Sequence, residues 1–147
     1  MKSVGIIAEY NPFHNGHAYQ LQKAKEASGA DFAVAVMSGD FVQRGEPAMF
    51  EKRLRAKWAL ENGADMVITL PTPFALASAE AFALGGVTLL SRSGIADSIA
   101  FGSECGDTDL LCRAADILSD EPDELKALIR SNISRGLSYP DARAHAF

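Results

Sequence analysis

A doubly wound α/β fold, a parallel sheet with helices on both faces, is what this sequence predicts, on three observations. Its short apolar runs are continuous rather than alternating, as in strands covered on both sides. Longer segments of helical period separate them, and glycines at Gly29, Gly63 and Gly94 mark where those helices stop. The residues suited to chemistry gather just after the apolar runs, where such sheets bind ligands beyond the carboxyl ends of their strands.

Taken in order, Ser3 to Glu9 reads as the first strand, and Asn15 to Ser28 as the helix that follows it, ended by Gly29. Phe32 to Met37 is the second strand. A loop with Ser38, Gly39, Arg44, Gly45 and Pro47 follows, and then a helix from Ala48 to Asn62. That loop lies at the ligand end and is long enough to act as a mobile cover. Met66 to Leu70 is the third strand, which Pro71 and Pro73 keep from continuing as an internal one. A small-residue helix is expected over Leu76 to Ser91 and a fourth strand over Asp97 to Phe101. Two more helices are expected over Thr108 to Leu118 and Pro122 to Ser134. Ser138-Tyr139-Pro140-Asp141 reads as another helix start, with a serine cap and a proline in the first turn. Only six residues follow Asp141, so the chain is expected to be the N-terminal part of a longer protein.

With 147 residues, 48% of them hydrophobic, the chain is the size of one domain, residues 1–147, and leaves no room for a second. A formal charge of −5 gives no general attraction to nucleic acid or to an anionic membrane. Met1-Lys2-Ser3 runs straight into a strand without a long apolar stretch, so the expectation is a cytoplasmic protein with no membrane partner. Cys105 and Cys112 are too few for a disulfide framework and are expected as reduced, buried thiols. With Arg44, the residues Lys52, Arg53, Arg55 and Lys57 form a concentrated basic stretch, whose lysines read as a solvated helix face balanced by Glu46, Glu51 and Glu61, with Trp58 packing under the helix.

The turn after the first strand carries the most chemistry. In Asn11-Pro12-Phe13-His14-Asn15-Gly16-His17 two histidines flank a glycine where a strand gives way to a helix. A helix N-terminus offers unpaired N–H groups and partial positive charge, hence an anion site, and His14 and His17 lie on one side of its first turn. Gly16 lacks a Cβ, which would let a nucleotide approach the backbone. Phosphate binding is the favoured reading. A structural cap is a second, and a metal site a third, although the remaining histidine, His145, lies at the far end of the chain and no metal ligand is assigned.

The turn resembles that of the nucleotidylyltransferase superfamily, Rossmann-like proteins of the HUP type with a His-x-Gly-His turn. More narrowly, Gly5-Ile6-Ile7-Ala8-Glu9-Tyr10-Asn11-Pro12-Phe13-His14-Asn15-Gly16-His17 resembles the bacterial tRNA(Met) cytidine acetate ligase family. So do Val36-Met37-Ser38-Gly39-Asp40-Phe41-Val42-Gln43-Arg44-Gly45-Glu46-Pro47-Ala48 and Phe101-Gly102-Ser103-Glu104. The resemblance implies ATP-dependent activation of acetate to acetyl-adenylate, and transfer of the acetyl group to N4 of the wobble cytidine of elongator tRNA(Met). It implies ATP with Mg²⁺, and contact with tRNA mainly through parts beyond residue 147. The ATP-binding segment then runs through Ile7, Ala8, Glu9, Tyr10, Asn11, Pro12 and Phe13 to His14, Asn15, Gly16, His17, Ala18, Tyr19 and Gln20, with Gly102 and Ser103 as later contacts. His14, His17 and Arg44 are the expected catalytic residues, the histidines as donors to the α-phosphate and Arg44 toward pyrophosphate or RNA. Two departures stand out: Thr69 replaces the acid common before the Leu-Pro of the third strand, and no downstream Arg element completes a triphosphate site. The alternatives are a small-molecule adenylyltransferase that releases pyrophosphate and a nucleotide-binding module without turnover.

Overall fold

The apolar runs become β1 (Ser3–Ala8), β2 (Phe32–Ser38), β3 (Met66–Leu70) and β4 (Ser98–Ile99), which form one four-stranded, all-parallel sheet in the order β3-β2-β1-β4. The computed structural model describes residues 1–120 and 122–146, with the side chain of Arg44 outside that description. The chain divides into two compact units, Met1–Gly102 and Ser103–Phe147. In the first unit the path steps outward from β1 to β2 to β3, then returns to the opposite side of β1 as β4. The strand order therefore reverses between β1 and β4, a switch point at which the following loops diverge and leave a crevice.

Both faces of the sheet are covered, as the continuous apolar runs predict. On one face Val4 and Ile6 of β1, with Ala33, Ala35 and Met37 of β2, bury Leu21 and Ala24 of α1 (Asn15–Ser28) and Ala59 of α2 (Lys52–Glu61). On the other, Val34, Val36 and Leu70 pack with Ala75 of α3 (Thr72–Ala75) and Leu90 of α4 (Ala79–Ser93). Helix α4 lies close to β1: a Cβ on Gly86 would stand 2.7 Å from Ile7, and one on Gly5 2.6 Å from Leu90.

The amino ends of the strands are set by three aspartates, each placed just before a strand. Asp31 accepts from the Lys2 N–H, Asp65 from the Ala33 N–H and Asp97 from the Ser3 N–H, all at 2.8 Å. Each carboxylate thus ties the start of its own strand to the neighbouring one and fixes the parallel register.

Several expected boundaries shift. The helix expected from Ala48 begins at Lys52, because Phe41 pairs with Pro47 and the Ala48 N–H donates to the Asp40 carbonyl, holding this stretch out of a helix. The helix expected over Leu76 to Ser91 is instead short α3 and then α4, which restarts where the Ser78 hydroxyl accepts from the Ala81 N–H. β4 covers Ser98–Ile99 rather than Asp97 to Phe101.

The second unit is helical: α5 (Thr108–Asp120), α6 (Asp123–Ser134) and α7 (Tyr139–Ala144), with Leu125, Ile129 and Ala142 as its small core. Its serine-capped last helix forms as expected, the Ser138 hydroxyl accepting from the Asp141 N–H. The cysteines are free, as expected, but both are exposed rather than buried, because α5 buries none of its residues and Cys105 precedes it in a bend. Among the described residues no helix is long and apolar enough to cross a membrane.

Candidate functional site

Beyond β1 the chain turns sharply. Tyr10 takes a left-handed conformation, φ 49°, and the Asn11–Pro12 peptide bond is cis. The Tyr10 ring is buried edge-on against Phe13 and His17, with centroids 4.9 Å away in both cases. Its hydroxyl has no partner among the described residues, and burial pushes the phenol up to about 12.

His14 is the N-cap of α1 and His17 stands at its third position, and the two close a reciprocal capping box. The Gly16 N–H donates to His14 Nδ1 at 3.1 Å, and the His14 N–H donates to His17 Nδ1 at 3.3 Å. A backbone N–H can only donate, so each Nδ1 is an unprotonated acceptor and each Nε2 of a neutral ring carries the hydrogen. The rings stack with centroids 3.7 Å apart at 24°. Desolvation, and then the neighbouring His14, lower the pKa of His17, which favours that neutral form.

The cap uses two of the first-turn amides itself: Gly16 donates to His14, and the His17 N–H donates to the His14 carbonyl at 2.9 Å. The cap also leaves the two Nε2–H groups free to donate toward the cavities that both rings line. Gly16 also serves the cap itself, since a Cβ there would lie 2.9 Å from His14 Cε1 and 3.0 Å from Nδ1.

The histidine pair lines two cavities. One, about 500 Å³, lies between α1 and the segment after β4, and takes in Gly16, Tyr19, Gln20 and Lys23 on one side and Ala100, Phe101 and Gly102 on the other. It sits at the switch point, and a Cβ on Gly102 would meet nothing within 4 Å. The other, about 480 Å³, takes in Ile7, Ala8, Glu9, Tyr10, Asn11 and Pro12 together with Gln43 and Phe82. Most of the expected segment from Ile7 to Gln20 and Gly102 is therefore brought together, while Phe13 packs on Tyr10 and neither Asn15 nor Ala18 lines either of these two cavities. Ser103 opens the second unit, where its hydroxyl lies 3.1 Å from Cys105 Sγ and helps hold that thiol below its usual range. The Arg44 side chain lies outside the described residues.

The loop after β2 is fastened down rather than a free cover. Glu9 Oε1 accepts from the Gln43 N–H at 2.8 Å, and Asn11 Oδ1 accepts from the Met49 N–H at 2.7 Å. Beneath it lies Arg55, fully buried although it belongs to the same basic stretch as Lys52 and Lys57. Its guanidinium donates through Nε to Phe50 O at 2.9 Å, through Nη1 to Glu9 O at 2.6 Å, and through Nη2 to Gly39 O. Lys52 and Lys57 do reach solvent, paired with Asp40 and Glu61. Trp58 is half-buried, edge-on to Phe50 at 5.1 Å.

An all-parallel, doubly wound sheet with the histidine turn facing a crevice at its switch point places the protein in the Rossmann-like α/β class. The chain belongs to the HIGH Nucleotidyl Transferase family, whose match spans residues 1–147. It is 55% identical over 99% of its length to a tRNA(Met) cytidine acetate ligase of Acetivibrio thermocellus, and 50% identical over 97% to that of Caldicellulosiruptor bescii. It covers 35% and 36% of those relatives, about a third of their length. A crystal structure of Thermotoga maritima TmcAL bound with alpha-thio ATP superposes with a TM-score of 0.92 at 46% identity, covering 99% of this chain and 35% of that one. The apo form of that protein gives the same TM-score, 0.92.

Proposed function

We propose that this chain is the nucleotide-binding part of an ATP-dependent ligase that activates acetate as acetyl-adenylate and transfers the acetyl group to N4 of the wobble cytidine of elongator tRNA(Met). The observation that carries the reading is the capping box, which commits both Nδ1 atoms to the backbone and leaves His14 and His17 Nε2–H as fixed donors between two cavities. The names of the long relatives and the alpha-thio ATP in the Thermotoga maritima structure support it.

In the first step a carboxylate oxygen of acetate attacks the α-phosphorus of ATP, the bond to the bridging oxygen breaks, and pyrophosphate leaves. Charge builds on the non-bridging α-oxygens, and preorganised donors aimed there lower the barrier. His14 and His17 fill that role. In the second step the N4 amine attacks the acetyl carbonyl, loses a proton, and AMP departs. Gly102, with open space where a Cβ would stand, gives the adenosine half a close approach to backbone. From the sequence, Arg44 is assigned to the leaving pyrophosphate and Ser103 to a polar contact. Tyr19 and Gln20 border the same cavity as Gly102. The tRNA is assigned mainly to parts of a longer protein.

Among the described residues no group of three or more His, Cys, Asp or Glu side chains is placed to hold a metal. Mg²⁺ takes most of its oxygens from substrate and water and few from protein, so on this reading it would be held mainly by the triphosphate and would supply neutralisation of the outer phosphates.

The test is ATP–pyrophosphate exchange by a protein of the relatives' length carrying this sequence. Exchange that depends on acetate is expected, and its absence with acetate overturns the reading. Exchange that requires a phosphorylated cofactor precursor instead would favour the small-molecule adenylyltransferase. Calorimetry on the chain itself should show ATP binding that is lost when both histidines become alanine.

A further inference from the structure

We propose that Arg55 is a positioning residue that locks the histidine turn and the loop from Gly39 to Phe50 into one preorganised unit, so that nucleotide affinity depends on a side chain that does not line either cavity bordered by His14 and His17. The inference rests on reading that turn as the nucleotide site. Arg55 is fully buried, and its three donating nitrogens reach carbonyls in three separate stretches: Glu9 just before the turn, Gly39 just after β2, and Phe50 just before α2. No carboxylate lies within bridging distance among the described residues; three carbonyl dipoles surround a cation that stays protonated in proteins. The guanidinium spreads its donors over three nitrogens in a fixed fork, whereas an ammonium carries its three on one nitrogen at the end of a flexible stem and would have to draw all three carbonyls to a single point.

The same stretches are joined again on either side of the guanidinium. The Gln43 N–H is held by Glu9, and the Met49 N–H by Asn11. Glu9 is thus gripped twice, its carbonyl by Arg55 and its carboxylate by the loop, one residue before Tyr10 enters its left-handed turn. Release of the guanidinium frees both ends of the loop and the exit of β1 together, and with them the direction in which α1 and its histidine cap point.

The test is Arg55→Lys in the 147-residue chain, read by amide hydrogen exchange and by calorimetry with ATP and magnesium. The Gln43 and Met49 amides should exchange at least about tenfold faster, the β2 amides of Ala35 and Val36 should keep their protection, and ATP should bind at least about tenfold more weakly. Loss of protection spread evenly over the loop and β2 would mean that Arg55 serves global stability alone, and would overturn the proposal. So would an opened loop with undiminished ATP affinity. If Arg55→Lys does not fold, the unaltered chain decides: the Arg55 Nε–H should exchange more slowly on saturation with ATP, and an unchanged rate refutes the coupling. An unaltered chain that binds no ATP at all would sink the functional reading instead, and the exchange of Gln43 and Met49 in Arg55→Lys would still report whether the guanidinium holds the loop.

Discussion

Replacing Gly16 with alanine should separate stability from nucleotide binding. The new Cβ would stand 2.9 Å from His14 Cε1 and 3.0 Å from Nδ1. Ordinary carbon contacts begin near about 3.5 Å, so the imidazole must retreat by about 0.6 Å. The Gly16 N–H to Nδ1 bond, now 3.1 Å, then passes out of range, and the ring leaves its 3.7 Å stack on His17. Loss of this N-cap costs about 1 kcal/mol. Alanine in place of glycine in a helix returns up to about 1 kcal/mol. The two nearly cancel, so the melting temperature should move by no more than about 3 °C. Binding has no such compensation, because the displaced Nε2–H is the donor assigned to the α-phosphate. A hydrogen bond to a charged group contributes about 1.5–3 kcal/mol, so ATP affinity should fall by about 10- to 150-fold. Circular-dichroism melts and titration calorimetry on the same preparation read both quantities. A variant that gains the full propensity term and binds ATP undiminished would show that the His14 ring can step aside freely, and the donor argument would fail.

Three further outcomes follow from the same geometry. The pKa of His17 is lowered by desolvation and by His14, so the folded chain binds fewer protons than the unfolded one. Its contribution to stability should be complete above the unfolded value of about 6.5 and be lost as pH falls through the lower folded value. Urea melts across that range should show a steeper acid loss in the natural chain than in His17→Gln, which keeps a capping acceptor without titrating; equal slopes would refute the assignment. Gly102→Ala should leave stability within about 0.5 kcal/mol, since nothing lies within 4 Å of the new Cβ, yet weaken ATP by about tenfold; unchanged affinity would remove the backbone approach assigned there. Tyr10→Phe removes a buried hydroxyl with no partner among the described residues, so the melt should hold or rise by up to about 1 kcal/mol. A clear loss would show that the hydroxyl is satisfied after all.

What could be read from the sequence depended on how far apart the partners lie along the chain. Helix α1 has the boundaries its sequence predicts, Asn15–Ser28, because both of its ends are closed locally, by the histidine box and by Gly29 at φ 63°. The three aspartates that set the strand register also leave a local mark in the sequence: Gly29-Ala30-Asp31, Gly63-Ala64-Asp65 and Gly94-Ile95-Ala96-Asp97 each lead from a helix end into a strand. The late start of α2 left no local mark, since Asp40, Phe41 and Asn11 hold Pro47, Ala48 and Met49 from across a loop. Arg55 is the extreme case. Its neighbours Lys52, Arg53 and Lys57 give it the pattern of a solvated face, while its partners stand 5, 16 and 46 positions away. The histidine pair could be found because its chemistry and its support lie within one turn of helix. The residue that holds that turn against the loop could not, because a buried guanidinium becomes affordable only once three carbonyls from separate segments have been folded around it.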